Sequence, residues 1–182
     1  MRTKSFFASA AKAAFALAAV VMMSAVFTSC SKDDDDDDAK KFTNTVILDG
    51  TEKSIVSAEY DDKGKGNYFL YLYLSSDRQE RVIINLNKDL HMTGKPVDLT
   101  KKEAEHAGFN WVIDYYDADG TTLIYTFGKP DSAFPVFKTG TLTMSGSPTG
   151  TINIKLENGR VKGTDGNEHT LVVSYSGPMT KA

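Results

Sequence analysis

After Lys41 the chain breaks into short runs in which apolar and polar residues alternate, and Asp-Gly, Asn-Gly or Gly-rich segments separate the runs. A period of two sends successive side chains to opposite faces of an extended strand. No stretch in this part keeps an apolar 3.6-residue period for three turns, which argues against a helical bundle or coiled coil. The pattern predicts about ten strands, near 42–48, 54–61, 67–75, 81–87, 109–117, 121–128, 139–145, 151–157, 160–164 and 168–176. Short strands at this spacing assemble into an all-β fold, a single antiparallel β-sandwich or β-barrel. One short helix is expected over Leu99 to Ala107, with Thr100 as N-cap, Glu103 as its capping-box partner and Gly108 as the stop. No internal repeat supports a solenoid.

Face bookkeeping then predicts register, because a one-residue slip exchanges the faces of a strand. The runs around Trp111 and Tyr125 meet through Asp119-Gly120. A two-residue loop would set Asp114 against Tyr125 inside an apolar face. A three-residue loop, Ala118-Asp119-Gly120, groups Trp111, Ile113 and Tyr115 with Phe127, Tyr125 and Leu123, and supplies Gly120 for the left-handed position. Trp111 is therefore expected in the core. In the preceding meander one face collects Val56, Ala58, Tyr60, Leu70, Leu72, Leu74, Val82, Ile84 and Leu86. The other collects Ile55, Ser57, Glu59, Phe69, Tyr71, Tyr73, Ile83 and Asn85, with three aromatic residues at alternate positions. It is either covered by the 88–108 segment or open as a contact surface. Toward the C-terminus, Leu142 and Met144 pair with Ile152, Ile154 and Leu156 across Gly146 to Gly150. Asn158-Gly159 reads as a two-residue hairpin turn, and Asp165-Gly166-Asn167 leads into a last strand with Leu171, Val173 and Tyr175 on one side.

The N-terminal residues have a different character. Arg2, Lys4 and Lys12 precede a fifteen-residue apolar stretch, Ala13 to Phe27, broken only by Ser24. This is short for a bilayer span, which takes about 20 apolar residues, and fits the apolar region of a secretory signal. Thr28, Ser29 and Cys30, the sole cysteine, follow. Next come Ser31, Lys32 and an unbroken acidic run of Asp33, Asp34, Asp35, Asp36, Asp37 and Asp38. The FTSC segment resembles the lipobox of bacterial lipoproteins, with Phe27 where a small aliphatic residue is usual. In that class the cysteine is acylated and becomes the first residue of the mature chain. The SKDDDDDD segment, Ser31 to Asp38, resembles the acidic export tag of Bacteroidota surface lipoproteins, which directs them to the outer face of the outer membrane. The resemblance implies a signal peptide over 1–29, a lipidated Cys30 with an acidic tether over 30–41, and a β domain over 42–182 anchored to the membrane by its lipid. The layout of the chain after Thr139 also resembles the closing β-meander of small Bacteroidota lipoproteins. An Asp run is self-repelling and solvated, which suits a tether. Calcium capture by the run is disfavoured, because it lacks the alternating ligands and turn glycine of a calcium loop.

Charge and motif content narrow the function. A net charge of −3 offers no broad basic footprint for nucleic acid, and one cysteine allows neither an intrachain disulfide nor a Cys-rich zinc motif. The three histidines, His91, His106 and His169, form no HExxH pair, and no serine lies in GxSxG. His91 and His169 read as turn or strand-surface residues. Asp117-x-Asp119-Gly120 echoes a calcium loop, but the hairpin explains it. No cofactor or metal is implied. The candidate ligand face is the aromatic one: Phe69, Tyr71 and Tyr73 can stack on a sugar ring beside Glu59, which could orient a hydroxyl. The expectation is a non-enzymatic surface module binding a glycan, peptide or outer-membrane partner. The alternatives are a hydrolase with a dispersed site, or a lipocalin-like carrier of a small ligand.

Overall fold

A computed structural model describes residues 42–182. The expectations for lipidation at Cys30 and for an export tag at Ser31, Lys32, Asp33, Asp34, Asp35, Asp36, Asp37 and Asp38 lie outside the described residues. Twelve strands and one helical turn follow in order: β1 Thr45–Leu48, β2 Thr51–Ser54, β3 Ser57–Gly64, β4 Asn67–Tyr73, β5 Arg81–Asn87, α1 Lys88–His91, β6 Pro96–Asp98, β7 Val112–Tyr116, β8 Thr122–Phe127, β9 Thr139–Gly146, β10 Thr151–Lys162, β11 Glu168–Pro178 and β12 Thr180–Lys181. The strands make two six-stranded sheets, ordered β2-β1-β11-β10-β9-β6 and β12-β3-β4-β5-β7-β8. All pairs are antiparallel except β12 on β3. The sheets do not close into a barrel, and the architecture is a β-sandwich. Its core joins Leu70, Leu72, Ile84 and Ile113 of the second sheet to Leu142, Ile154, Leu156 and Leu171 of the first, all fully buried.

Where a strand keeps strict alternation, register follows the apolar pattern. Leu72 lies opposite Ala58, and Leu70 lies opposite Tyr60 and Ile84. Met144 pairs with Ile154 and Leu142 with Leu156. The expected strand over 54–61 is instead two strands in different sheets. The Ile55 amide donates to the Asn44 carbonyl (2.9 Å) and the next amide, Val56, donates to the Tyr73 carbonyl (2.9 Å). Consecutive amides thus bond to opposite sheets, and the alternation restarts. Val56, expected inside, is 56% exposed, whereas Ile55 packs against the core. Asn158-Gly159 is likewise no hairpin. It forms a bulge within β10, with Asn158 at φ +55°, and the strand continues to Lys162.

The hairpin between β7 and β8 has the expected three-residue turn, with Gly120 at φ +75° and the Gly120 amide donating to the Asp117 carbonyl (2.9 Å). A bulge follows at once. Tyr116 pairs with Thr122 but Tyr115 pairs with Ile124, leaving Leu123 as the extra residue. The shift brings Asp114 opposite Tyr125. The inward residues of β8 are therefore Ile124 and Thr126, while Tyr125 and Phe127 turn outward, contrary to the expected grouping. Buried Thr126 is accommodated because its hydroxyl donates to the Ile113 carbonyl (2.7 Å).

The expected helix over Leu99 to Ala107 is absent, because its capping groups are engaged elsewhere. Thr100 bonds to Asp98 through both its amide (3.0 Å) and its hydroxyl (2.6 Å). Leu99 joins the first sheet by donating to the Gly140 carbonyl (3.1 Å) and is fully buried. The Glu103 carboxylate accepts from the Trp111 amide (2.9 Å) and from His91 Nε2 (2.6 Å). The one helical turn is α1, where the Asn87 side chain accepts from the Asp89 amide (3.0 Å).

Neither His91 nor His169 lies on the surface. His91 is 1% exposed; its Nδ1 lies within hydrogen-bond distance of both the Asn87 amide (3.0 Å) and the Asn87 carbonyl (2.9 Å), and its Nε2 donates to the acceptor-only Glu103 carboxylate (2.6 Å). His169 lies between Asp49 (2.7 Å) and Asp165 (3.1 Å), tying two turns together. Burial alone would lower the pKa of His169, but the two carboxylates outweigh it and hold the imidazole above its ordinary value. The surface expectation fails for both because Glu103 and Asp49 reach them from other segments of the chain.

Trp111 is fully buried, on the same alternation of the chain as Ile113 and Tyr115. Its indole lies against Gly128, where a Cβ would overlap the ring. Trp111→Ala is expected to lower unfolding stability by about 3–5 kcal/mol in denaturant titration. A loss below about 1 kcal/mol would contradict a close-packed indole.

A candidate binding groove on the outer face of the second sheet

Burying Ile84, Ile113 and Ile124 on the inner face turns the intervening residues outward. Two rows result across the outer face: Phe69-Asn85-Val112-Phe127, and Glu59-Tyr71-Ile83-Asp114-Tyr125. The first row is the floor of a groove of about 760 Å³, within the usual range of small-molecule sites. One wall is the 105–110 segment, the other the 129–132 segment.

Local bonding explains both walls. Phe109 packs on Phe69 with ring centroids 5.6 Å apart. The Phe109 amide donates to Asn67 Oδ1 (2.8 Å), which also accepts from Asn87 Nδ2 (2.8 Å). On the opposite side, Phe134 meets Tyr125 edge to face at 4.4 Å, and the Phe127 amide donates to the Pro135 carbonyl (3.1 Å). The groove therefore has three phenylalanines, two asparagines and a mixed rim of Glu105, His106, Lys129 and Asp131.

Two polar atoms of this face are buried without a partner: Asn85 Oδ1 and Asp114 Oδ1. Asp114 occupies the outward position next along β7 from Val112 and is 6% exposed. Burial pushes its carboxyl up to about 7, against a hydrogen bond from the Thr126 backbone. Its row neighbours are Ile83 and Tyr125, neither of which offers a cation.

The residues expected from sequence to form a ligand face divide into two places. Phe69 is on the groove floor. Tyr71 and Tyr73 stack on each other at 6.1 Å and 7°, away from the groove lining. Tyr73 is 9% exposed, with the Arg78 guanidinium 5.0 Å from its ring centroid. Arg78 also engages both carboxylate oxygens of Glu59, at 3.2 and 2.5 Å. Glu59 is thus occupied by an intramolecular partner. Asp117 likewise has local work, accepting from the Asp119 (3.0 Å) and Thr121 (2.9 Å) amides to close its turn.

Sequence reasoning missed Phe109, Val112, Phe127 and Asp114. For Asn85 the signal existed, since face bookkeeping sets it beside Phe69. For Phe127 the signal is inverted by the bulge at Leu123. Among the described residues, no group of three His, Cys, Asp or Glu side chains could hold a metal ion, and no helix is long and apolar enough to cross a membrane. No protein-family model, curated protein or solved structure matches the chain.

Asp114 gives this face a pH dependence with a definite sign. Its folded pKa lies above the ordinary carboxyl value of about 3.9, so the folded state retains a proton that the unfolded chain has released. The contribution of Asp114 to stability falls as pH rises from about 4 to about 7 and is level above that range. Asp114→Asn removes the slope. The variant should gain on the order of 4 kcal/mol relative to the parent between pH 4 and pH 8, read by denaturant unfolding. An identical difference at both pH values would show that Asp114 has no raised pKa.

Proposed function

We propose that this protein is a lipid-anchored surface lipoprotein whose β-sandwich is a non-enzymatic binding module, and that the groove takes a neutral saccharide. The observation that carries the ligand assignment is the groove lining. Phe69, Phe109 and Phe127 offer apolar faces, Asn85 and Asn110 offer amides, and a single cation, Lys129, stands on the rim with two carboxylates, Glu105 and Asp131. A strongly anionic ligand would meet the two carboxylates, and a purely apolar one would leave the amides unpaired. A sugar has both an apolar ring face and hydroxyls. The lipocalin-like alternative draws no support from two sheets that remain open.

The address rests on the FTSC and SKDDDDDD segments. Stable anchoring takes more than one acyl chain, and the lipoprotein class that this segment resembles carries several. Cys30→Ser should abolish acylation and release the protein from membranes, read by fractionation and mass spectrometry. Deleting Asp33 to Asp38 should keep the lipid but remove the protein from external protease on whole cells. Equal protease accessibility before and after that deletion would refute an export role.

The ligand assignment is tested by presenting the full-length protein, in detergent, to an array of neutral oligosaccharides. Phe127→Ala should weaken retention about tenfold, the scale of one lost stacking contact, while Val56→Ala, at an exposed position between the sheets, should not. Retention insensitive to Phe127→Ala would place the saccharide elsewhere. Turnover of a bound sugar that Asp114→Asn removes would favour the hydrolase instead.

A further inference from the structure

The groove's two walls come from segments separated in sequence, and neither belongs to a sheet. Their positions depend on two adjacent residues. The Lys102 ammonium donates to the carbonyls of Phe127 and Phe134, each at 2.6 Å. It thereby ties the end of β8, on the groove floor, to the loop that forms one wall. The Glu103 amide donates to the Gly128 carbonyl (2.7 Å), so the main chain of the same pair bonds to the base of that loop. The Glu103 carboxylate turns the other way. It accepts from the Trp111 amide (2.9 Å) and His91 Nε2 (2.6 Å), and lies 3.5 Å from His106 Nε2. His106 and its 2.9 Å neighbour Asn110 line the opposite wall.

We propose that Lys102 and Glu103 are the positioning residues of the groove: the ammonium holds the 128–136 loop that carries the 129–132 wall, the carboxylate holds the 105–110 wall, and the peptide between them sets the distance across. This inference rests on the groove being the ligand site only for its binding arm.

The chemistry of the pair supports a positional role. Burial lowers the pKa of Lys102. An ammonium leaving water needs hydrogen bonds or a counter-charge, and here main-chain carbonyls supply the bonds. An apolar side chain could fill the same space at lower cost, but it could not fix two carbonyls to one point. Glu103 is held in its charged form. Burial would raise its pKa, but hydrogen bonds from His91 and the Trp111 amide outweigh that and bring it below its ordinary value.

The test compares Lys102→Met, which keeps the stem and removes the donors, with Lys102→Arg, which restores donors. Hydrogen exchange is followed in the full-length protein without ligand, and retention is measured on the neutral oligosaccharide array. Lys102→Met should speed amide exchange over 129–136 about tenfold or more, the scale of one charge-assisted hydrogen bond. Amides of β3 to β5 should be unchanged. Oligosaccharide retention should fall with the local exchange, and Lys102→Arg should restore both. Unchanged exchange over 129–136, or a uniform rise through both sheets, would overturn the proposal. If the parent retains no oligosaccharide while exchange rises locally, the positioning role stands and the saccharide assignment fails. Should Lys102→Met not fold, Glu103→Gln provides the second arm: faster exchange over 104–110 alone supports the pair, and none overturns it.

Discussion

The molecule depends on the apolar contact between the inner faces of its two sheets. Neither sheet can bury that face alone, and the contact obliges each strand to direct every second residue inward. The same obligation decides what the outer face presents. Once Val82, Ile84 and Leu86 point into the core, Ile83 and Asn85 must point out. Once Ile113 and Tyr115 are inside, Val112 and Asp114 cannot be. The groove floor is in this sense the reverse side of the core.

Most polar groups removed from water in this structure have been given partners, as their desolvation requires. Glu80, 7% exposed, engages both Lys53 and the Tyr115 hydroxyl. Burial, and then the Glu80 carboxylate, raise the pKa of Tyr115, so the phenol remains a donor. Thr126 bonds to a neighbouring carbonyl, and the buried Asn87 side chain caps α1 while donating to Asn67. Against this background Asn85 Oδ1, Asp114 Oδ1 and, within the core, Trp111 Nε1 stand apart. The first two belong to the outer face of one sheet, next to its groove. Partly satisfied polar sites cost stability, and these two lie beside the concave surface proposed as the ligand site.

Legibility from sequence varies with the distance over which partners are recruited. Strands β4 and β5 are readable because Leu70, Leu72, Val82 and Ile84 alternate without interruption and their turn is local. Trp111 is inside as expected, but the grouping with Phe127, Tyr125 and Leu123 that placed it there does not form. The helix expected over 99–107 does not form although Thr100 and Glu103 have the right spacing. A capping box is worth about 1 kcal/mol; here the same residues make bonds to Asp98, His91 and Trp111 instead. His91 and His169 read as surface residues because Glu103 and Asp49 become their neighbours only after folding. Of the aromatic stripe, Phe69 reaches the groove while Tyr71 and Tyr73 are taken up by each other and by Arg78.

By itself the sequence determined the all-β class, the positions of most strands and the inward identity of the long apolar alternations. These follow from a period of two, which every residue expresses locally. Only the tertiary structure decided the two-sheet division at Ile55 and Val56, the bulges at Leu123 and Asn158, and the walls over Phe69 and Asn85. A sheet crossing or a bulge changes parity through one or two residues, whose alternative hydrogen bonds lie on another strand. Such a choice is settled by the free energy of the assembled sandwich, and no local pattern in the chain encodes it.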